Sequence, residues 1–586
     1  MSPLPSTRAV VRFGDFSADL HAGELRKNGL RIKLQVQPFQ VLQILLERAG
    51  EVISREELQK RIWPADTFVD FDHGLNNAIK KLREALKDDA ERPRFIETLA
   101  KRGYRFIGSV DDGKHPSVGP GVAASMDSIV VLPFINMSAD PENEFFTDGI
   151  TEEIINALAQ IKELHVVARS SAFSFKGKHI DPRTIGEQLK VRTLLEGSLR
   201  RSGDHLRITV QLVNAADGYH LWSERYDREM KDVFEIQDEI ARSVVERLKV
   251  TLQGGPQEHL VKPGTSNLEA YQMYVKGRIL LPRRGPAVPK AVECFERAVA
   301  LDPQYALAWA GLADSYTVLG YCGFAPPEAC MPKGTEAARR AVALDPLLAE
   351  AHNALACACL LDLWDKTEAE REFLRALELN PRYIQGRDWY ALFYLQCMTG
   401  RLEEAVSQAK LALAFDPLSS YAQTLVGFTC FGAGKYEEAV HACERAVELD
   451  PESFLARWCH HLALHTGGWF EQAVSVGEQV LTMSGRHPWA VMSLAATFRD
   501  WGKPADVEAL YSELLARSRR GYVQPVTLAT AAAAAEVEED AICHSLCAFE
   551  IRDPFVPLWF SKYWPYSAHL RKYPRFREIL ARAGMG

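Results

Sequence analysis

Leu75, Ile79, Leu82 and Leu86 recur at intervals of four, three and four. At about 100° per residue this places them on one face of a helix. Asn77, Lys80, Lys81 and Glu84 fall on the opposite face, with Asn76 at the border. Upstream, Phe39–Arg48 and Arg55–Trp63 predict two further helices. Ser54 stands as an N-cap with Glu57 at capping-box spacing. Pro93 ends the helical pattern, and Phe95–Leu99 and Tyr104–Ile107 predict two strands around Lys101-Arg102-Gly103. Short strands precede the first helix. Three helices closed by a hairpin make a winged helix-turn-helix.

The pattern changes at Ser128. A compact apolar run, Ile129–Phe134, is followed by a polar loop, Asn136–Asn143, and by helical spacing over Thr151–Ile161. Strands are predicted at His165–Ala168, Leu194–Leu199, Leu206–Leu212 and Leu221–Tyr226, a short helix at Ile185–Leu189 and a long one at Asp232–Val250. This predicts a mixed α/β domain.

From Leu268 the sequence repeats. Pro303, Pro346, Pro381, Pro417, Pro451 and Pro488 mark the ends of successive units, 43, 35, 36, 34 and 37 residues apart. The long interval is read as an insertion around Gly320–Pro332. Gly434, Tyr436, Ala439, Ala446 and Pro451 share their offsets with Gly400, Leu402, Ala405, Ala412 and Pro417. Gly turns the chain, Ala lets paired helices approach, and Pro ends the second helix. A further helical pair is expected over Val526–Asp553. An amphipathic helix ends the tail and is expected to cover the open edge of the last repeat.

The 586 residues carry a net charge of -8. That conflicts with a basic interface until it is divided. Residues 1–108 hold 19 Lys/Arg against 15 Asp/Glu, and the remainder 50 against 62. The basic excess is confined to the head, as phosphate binding requires. All eleven cysteines lie between Cys294 and Cys547 among helical patterns, where Cys serves as a small apolar residue. This fits a reducing cytoplasm. The first residues lack the apolar core of a signal peptide, and no stretch approaches the roughly 18 apolar residues of a span.

Candidate chemistry is sparse. Cys459, His460, His461 and His465 form the most metal-like group, and Cys543, His544 and Cys547 a second, but both sit where repeat helices pack. Asp148-Gly149 and Lys176-Gly177-Lys178 lack P-loop spacing and are read as turns. No nucleophile elbow, phosphate cradle or paired-carboxylate motif is present. The expectation is a non-enzymatic protein with no catalytic residue, cofactor or metal.

Three resemblances add to this reading. The runs VISREELQKRIWP, VDFDHGLNNAIKKLREAL and RFIETLAKRGYRFIG resemble the OmpR/PhoB-type winged helix, and the strands in VVRFGDFSADLHAGELRKNGLRIKL match its four-stranded amino-terminal sheet. Together they cover residues 8–108. SIVVLPFINMSADPENEFFTDGITEEI, LLEGSLRRSGDHLRITVQLVNAADGYHLWSERYDR and VFEIQDEIA resemble the TolB amino-terminal-like domain, which implies no reaction. The offsets from residue 268 to 525 resemble tetratricopeptide repeats. ToxR/CadC-like regulators place a membrane helix after the winged helix. Here that stretch, Ser109–Asp127, is a polar Gly/Pro linker. No receiver domain is expected before the head.

The fold class is therefore multidomain α+β and all-α: a winged helix-turn-helix (8–108), a linker (109–127), an α/β TolB-like domain (128–253), an α-solenoid of tetratricopeptide repeats (268–525) and a degenerate capping region (526–586). The resemblance implies a cytoplasmic one-component bacterial transcriptional regulator that senses its signal within the same chain. Its partners are double-stranded DNA and a protein, peptide or effector on the concave face of the array, with no membrane. A homo-oligomer on DNA stays open. Asn76, Asn77, Lys80, Lys81 and Glu84 are expected at the major groove, and Lys101, Arg102 and Arg105 on the wing. The alternatives are a scaffold whose winged helix docks protein, and an enzyme hidden in the middle domain.

Overall fold

The computed structural model describes residues 10–13, 16–19, 24–27, 30–32, 34–48, 52–62, 71–86, 88, 93, 95–99, 103–107, 127–138, 140, 143–159, 161, 164–248, 264–285 and 287–582. It divides into two units, 1–119 and 120–586.

The first unit opens with an antiparallel sheet of β1 (Val10–Phe13), β2 (Phe16–Asp19), β3 (Glu24–Lys27) and β4 (Leu30–Ile32), each paired with the next. Then follow α1 (Val36–Glu47), β5 (Val52–Ser54), α2 (Arg55–Ile62), α3 (Phe71–Leu86), β6 (Ile96–Leu99) and β7 (Gly103–Phe106). The Ser54 hydroxyl accepts from the Glu57 amide at 3.1 Å, the Ser half of a capping box, while the Glu57 carboxylate pairs with Arg48 at 2.9 Å. The expected stripe is in the core: Leu75, Ile79, Leu82 and Leu86 are all buried. Each contributes roughly 1.5–3 kcal/mol by leaving water.

The hairpin is larger than expected. β5 pairs β7, so three strands run in the order β5-β7-β6. Gly103 makes that pairing possible. Its φ is +143°, and a Cβ there would lie 2.0 Å from the Ile53 carbonyl oxygen. Phe95 joins the two sheets by meeting Phe16 edge-to-face at 5.5 Å.

The second unit begins with a sheet of β8 (Asp127–Val131), β9 (Ile135–Asn136), β10 (Leu164–Val166), β11 (Thr193–Ser202), β12 (His205–Asn214) and β13 (His220–Glu229), ordered β10-β8-β11-β12-β13 with β9 beside β11. α4 (Asn143–Ala159), α5 (Arg169–Phe173), α6 (Pro182–Leu189) and α7 (Val233–Arg247) complete the domain. Every strand expected here is present. Asp148-Gly149, however, is no turn; it lies inside α4. Gly149 is needed because a Cβ there would sit 2.5 Å from Val275 of the first repeat helix. Lys176 reaches back to both Asp148 oxygens at 2.6 Å.

Eight helical pairs follow among the described residues, from Leu268–Leu280 with Ala287–Leu301 to Pro525–Ala534 with Glu538–Glu550. Pro303, Pro346, Pro381, Pro417 and Pro451 each stand two residues past a second helix, but Pro488 is the first residue of a helix, Pro488–Asp500. A Pro at that position forfeits no hydrogen bond. The expected Gly320–Pro332 insertion is absorbed by two long helices, Ala306–Tyr321 and Pro327–Leu344, with Pro332 inside the second. First helices in the third and fourth pairs continue as π-helix over Cys359–Leu363 and Tyr390–Thr399.

The array is joined to the sheet domain and to itself. Asp416 accepts from the Ser171 amide at 2.9 Å and from the Ser170 and Ser171 hydroxyls at 2.5 Å. Glu152 takes Arg278 at 2.6 Å and Arg169 at 3.0 Å. Burial alone would raise the Glu152 carboxyl, but the two guanidinium groups hold it below its usual range. Tyr321 of the second pair meets Trp489 of the seventh at 5.5 Å, and the Gln524 amide donates to the Tyr321 carbonyl at 3.1 Å. The succession of repeats therefore closes back on its early members.

Candidate nucleic-acid interface

Burying Leu75, Ala78, Ile79, Leu82 and Leu86 turns the other side of α3 outward. Asn76, Asn77, Lys80 and Glu84 are exposed there, and Lys81 is half-buried. The five predicted α3 residues thus line one outward row, but they are held differently. Lys81 donates from Nζ to the Gln35 side chain at 2.8 Å. Asn76 Oδ1 accepts from Arg55 Nη2 at 2.9 Å and from the Tyr104 hydroxyl at 3.1 Å. Arg55 also donates to the Tyr104 hydroxyl at 3.0 Å, with its guanidinium 5.6 Å from that ring. One amide therefore ties the start of α2, the middle of α3 and strand β7 together. Asn76 is a strut between the helix and the wing as well as an outward side chain.

Arg105 lies on β7, half-buried, with Nε and Nη2 both on Glu97 Oε2 of β6, at 2.8 and 2.6 Å. Lys101 and Arg102 lie outside the described residues.

Three positioning residues escaped the sequence pattern: Arg55, Tyr104 and Arg83. Arg83 Nη2 donates to the Ile96 carbonyl at 2.7 Å and to Thr98 Oγ1 at 2.8 Å, fixing α3 to β6. Each partner lies at least 13 positions away in the chain, so helical periodicity carries no sign of it.

In the second unit the metal-like histidines are engaged by the fold. His461 Nδ1 lies 2.8 Å from the Ala473 carbonyl. His465 Nδ1 lies 2.7 Å from Thr497 Oγ1, and its Nε2 lies 3.1 Å from Asp500. Burial pushes His461 down to about 4. Cys543 is exposed and Cys547 partly so. Among the described residues no three His, Cys, Asp or Glu side chains are grouped to hold a metal ion, and no helix is long and apolar enough to cross a membrane.

Known proteins match the head, the middle domain and the repeats in turn. Residues 29–106 match the family described as transcriptional regulatory protein, C terminal. Residues 125–243 match the second domain of HilA/YgeH-like transcriptional regulators, and residues 421–453 a tetratricopeptide repeat. The resemblance of the middle domain to TolB rests on the sequence phrases alone. The chain is 43% identical over 187 residues to a putative adenylate cyclase 3 of Rhizobium meliloti, a match spanning 32% of each protein. It is 23% identical over 436 residues to the transcriptional regulator HilA of Salmonella typhimurium, spanning 72% of this chain and 73% of HilA. The solved DNA-binding domain of Escherichia coli CadC matches 18% of this chain and 97% of its own length at 29% identity, with a TM-score of 0.16. Residues 29–106 are thus a winged helix of the transcriptional-regulatory type, joined in one chain to a HilA/YgeH-like second domain and to tetratricopeptide repeats.

Proposed function

We propose that this chain is a one-component DNA-binding transcriptional regulator, non-enzymatic and cytoplasmic, divided at the boundaries read from its sequence. The observation that carries the reading is the outward row of α3. Asn77, Lys80, Lys81 and Glu84 project from a helix whose opposite face is fixed in the winged-helix core. An exposed helix of this width fits the major groove. Asn77 offers both an acceptor and a donor to an adenine edge. Asn76 offers its amide donor, its oxygen being engaged by Arg55 and Tyr104. Lys80 and Lys81 take phosphate. Lys101 and Arg102, which by sequence connect β6 to β7, bring basic charge to the wing, and Arg105, paired with Glu97, offers its remaining N–H donors beside them.

The repeat array supplies a surface for a protein or peptide partner. The names of the transcriptional regulator HilA and the transcriptional activator CadC support the non-enzymatic reading, whereas the cyclase name belongs to a match spanning 32% of that protein.

The test is binding of genomic DNA fragments by the full chain and by residues 1–119 at two salt concentrations. Selective binding that weakens with salt is expected from both. Absence of binding by either would remove the DNA reading.

A further inference from the structure

The tail was expected to cap the last repeat. Helix Pro574–Arg582 reaches the eighth pair, where Arg575 pairs with Glu539 at 2.6 Å, while its Phe576 packs on Phe560 of the preceding stretch. The stretch between the eighth pair and that helix goes elsewhere. Asp553–Arg571 runs along the first helices of six of the eight pairs, the helices that line the inner face of a tetratricopeptide superhelix.

Its contacts are specific. Asp553, fully buried, accepts from the Gln524 amide at 3.3 Å. Phe555 stacks on Trp489 at 4.5 Å with the rings 6° from parallel, and its edge meets Tyr321. Trp559 stacks on Trp458 and donates to Thr530 at 2.9 Å. Ser561 donates to the Cys397 carbonyl, within the π-helical stretch. Trp564 lies against Phe428 and Phe431. At the far end, Asp500 holds His569 and His465, each at 3.1 Å.

Three features mark this segment as an occupant of the inner face rather than one more repeat. It is built of short turns, Val556–Trp559, Pro565–Ser567 and Ala568–Arg571, and not of a helical pair. Its fit is incomplete. Beside Phe555, Leu558 and Trp564 a small apolar cavity of about 20 Å³ remains. The buried Trp564 Nε1 of the tail has no hydrogen-bond partner among the described residues. A better-fitted ligand would satisfy such a group.

We propose that the inner face of the array is a recognition surface for an aspartate-led aromatic segment. Residues 553–567 occupy it in cis, and a partner protein carrying a segment of the same chemistry binds by displacing them. This rests on the reading of the array as a partner-binding surface and is independent of DNA binding. A site held by its own tail presents only the fraction of molecules whose tail is out, so its apparent affinity for a partner is reduced by that fraction.

The test uses a fluorescein-labelled synthetic peptide of residues 553–567 and the full chain, read by anisotropy. The expected result is at least about tenfold tighter binding to Trp564→Ala than to the wild-type chain, with no binding of a peptide whose two tryptophans are alanine. Melting of each chain is followed in parallel. Equal affinity for both chains, or no binding to a folded Trp564→Ala chain, would overturn the proposal. If Trp564→Ala does not fold, hydrogen exchange on the wild-type chain decides. Residues 553–567 are expected to exchange faster than helices 525–534 and 538–550, and equal protection would show the tail to be ordinary core. Fragment binding on the same samples reports on the DNA reading separately.

Discussion

Lys80 and Lys81 are neighbours in sequence and differ in surroundings, and that difference sets up a test of the interface. Lys80 is exposed, whereas Lys81 is half-buried and donates to Gln35 at 2.8 Å. Each phosphate neutralised on B-DNA adds about 0.9 to the slope of log affinity against log salt. Lys80→Ala should therefore lower the slope by about 0.9. Between about 50 and 200 mM salt, a fourfold range, the deficit of the variant should shrink by about 3.5-fold. Lys81 is held by Gln35, and swinging away from it toward phosphate gives up that hydrogen bond, which offsets about 1 kcal/mol of the contact. Its alanine variant should therefore lose less affinity, by about fivefold. The assay is fluorescence anisotropy with one selected duplex across a salt series, with melting measured to exclude loss of fold. An unchanged slope for Lys80→Ala would remove Lys80 from phosphate. A larger loss for Lys81→Ala than for Lys80→Ala would refute the reasoning from their surroundings.

Further outcomes follow from the same geometry. Asn76→Ala leaves Arg55 and the Tyr104 hydroxyl without their shared acceptor and should lower the stability of the head by about 1–3 kcal/mol, whereas Asn77→Ala should leave its melting unchanged and alter base preference in a selection from random duplexes. The idea fails if the two variants melt alike. Gly103→Ala places a Cβ on the Ile53 carbonyl and should destabilise the head by about 3 kcal/mol or more; a wild-type melting curve for residues 1–119 carrying it would contradict the β5–β7 pairing. Burial pushes the Asp314 carboxyl up to about 7, with Gln385 its hydrogen-bond partner. The native state then holds a proton that the unfolded state releases above pH 4, so stability falls as pH rises from about 4 through 7. Asp314→Asn should remove that fall, adding at most about 4 kcal/mol at pH 8 and nothing near pH 4, as read by urea denaturation at the two pH values. A gain of equal size at both would rule out the buried charge as its source.

What the sequence pattern revealed, and what it did not, divides by the range of the interactions. The α3 stripe, the Ser54 cap and the strands of the middle sheet follow from residues a few positions apart, and all are present. The tie of Asn76 to Arg55 and Tyr104 spans 21 and 28 positions, and no periodicity encodes it. Gly149 reads locally as a turn, yet it lies inside a helix, where Val275 takes the space a Cβ would need. Pro488 keeps near-repeat spacing while opening a helix instead of following one, since Pro is tolerated at both places. The course of the tail was hidden for a related reason. Its aromatics read as a cap, and the surfaces that receive them come from helices as far back as Tyr321.

The meeting of Tyr321 with Trp489 and of Gln524 with the Tyr321 carbonyl bears on how such a chain can evolve. An open solenoid has two free ends and tolerates gain or loss of a repeat, since each unit touches only its neighbours. When the second pair must face the seventh across a fixed gap, the number of repeats becomes a circumference. A duplicated or deleted pair would leave Trp489 and Gln524 out of reach of Tyr321 and shift every ring in the tail out of register. Change is then confined to substitution within a ring of set size.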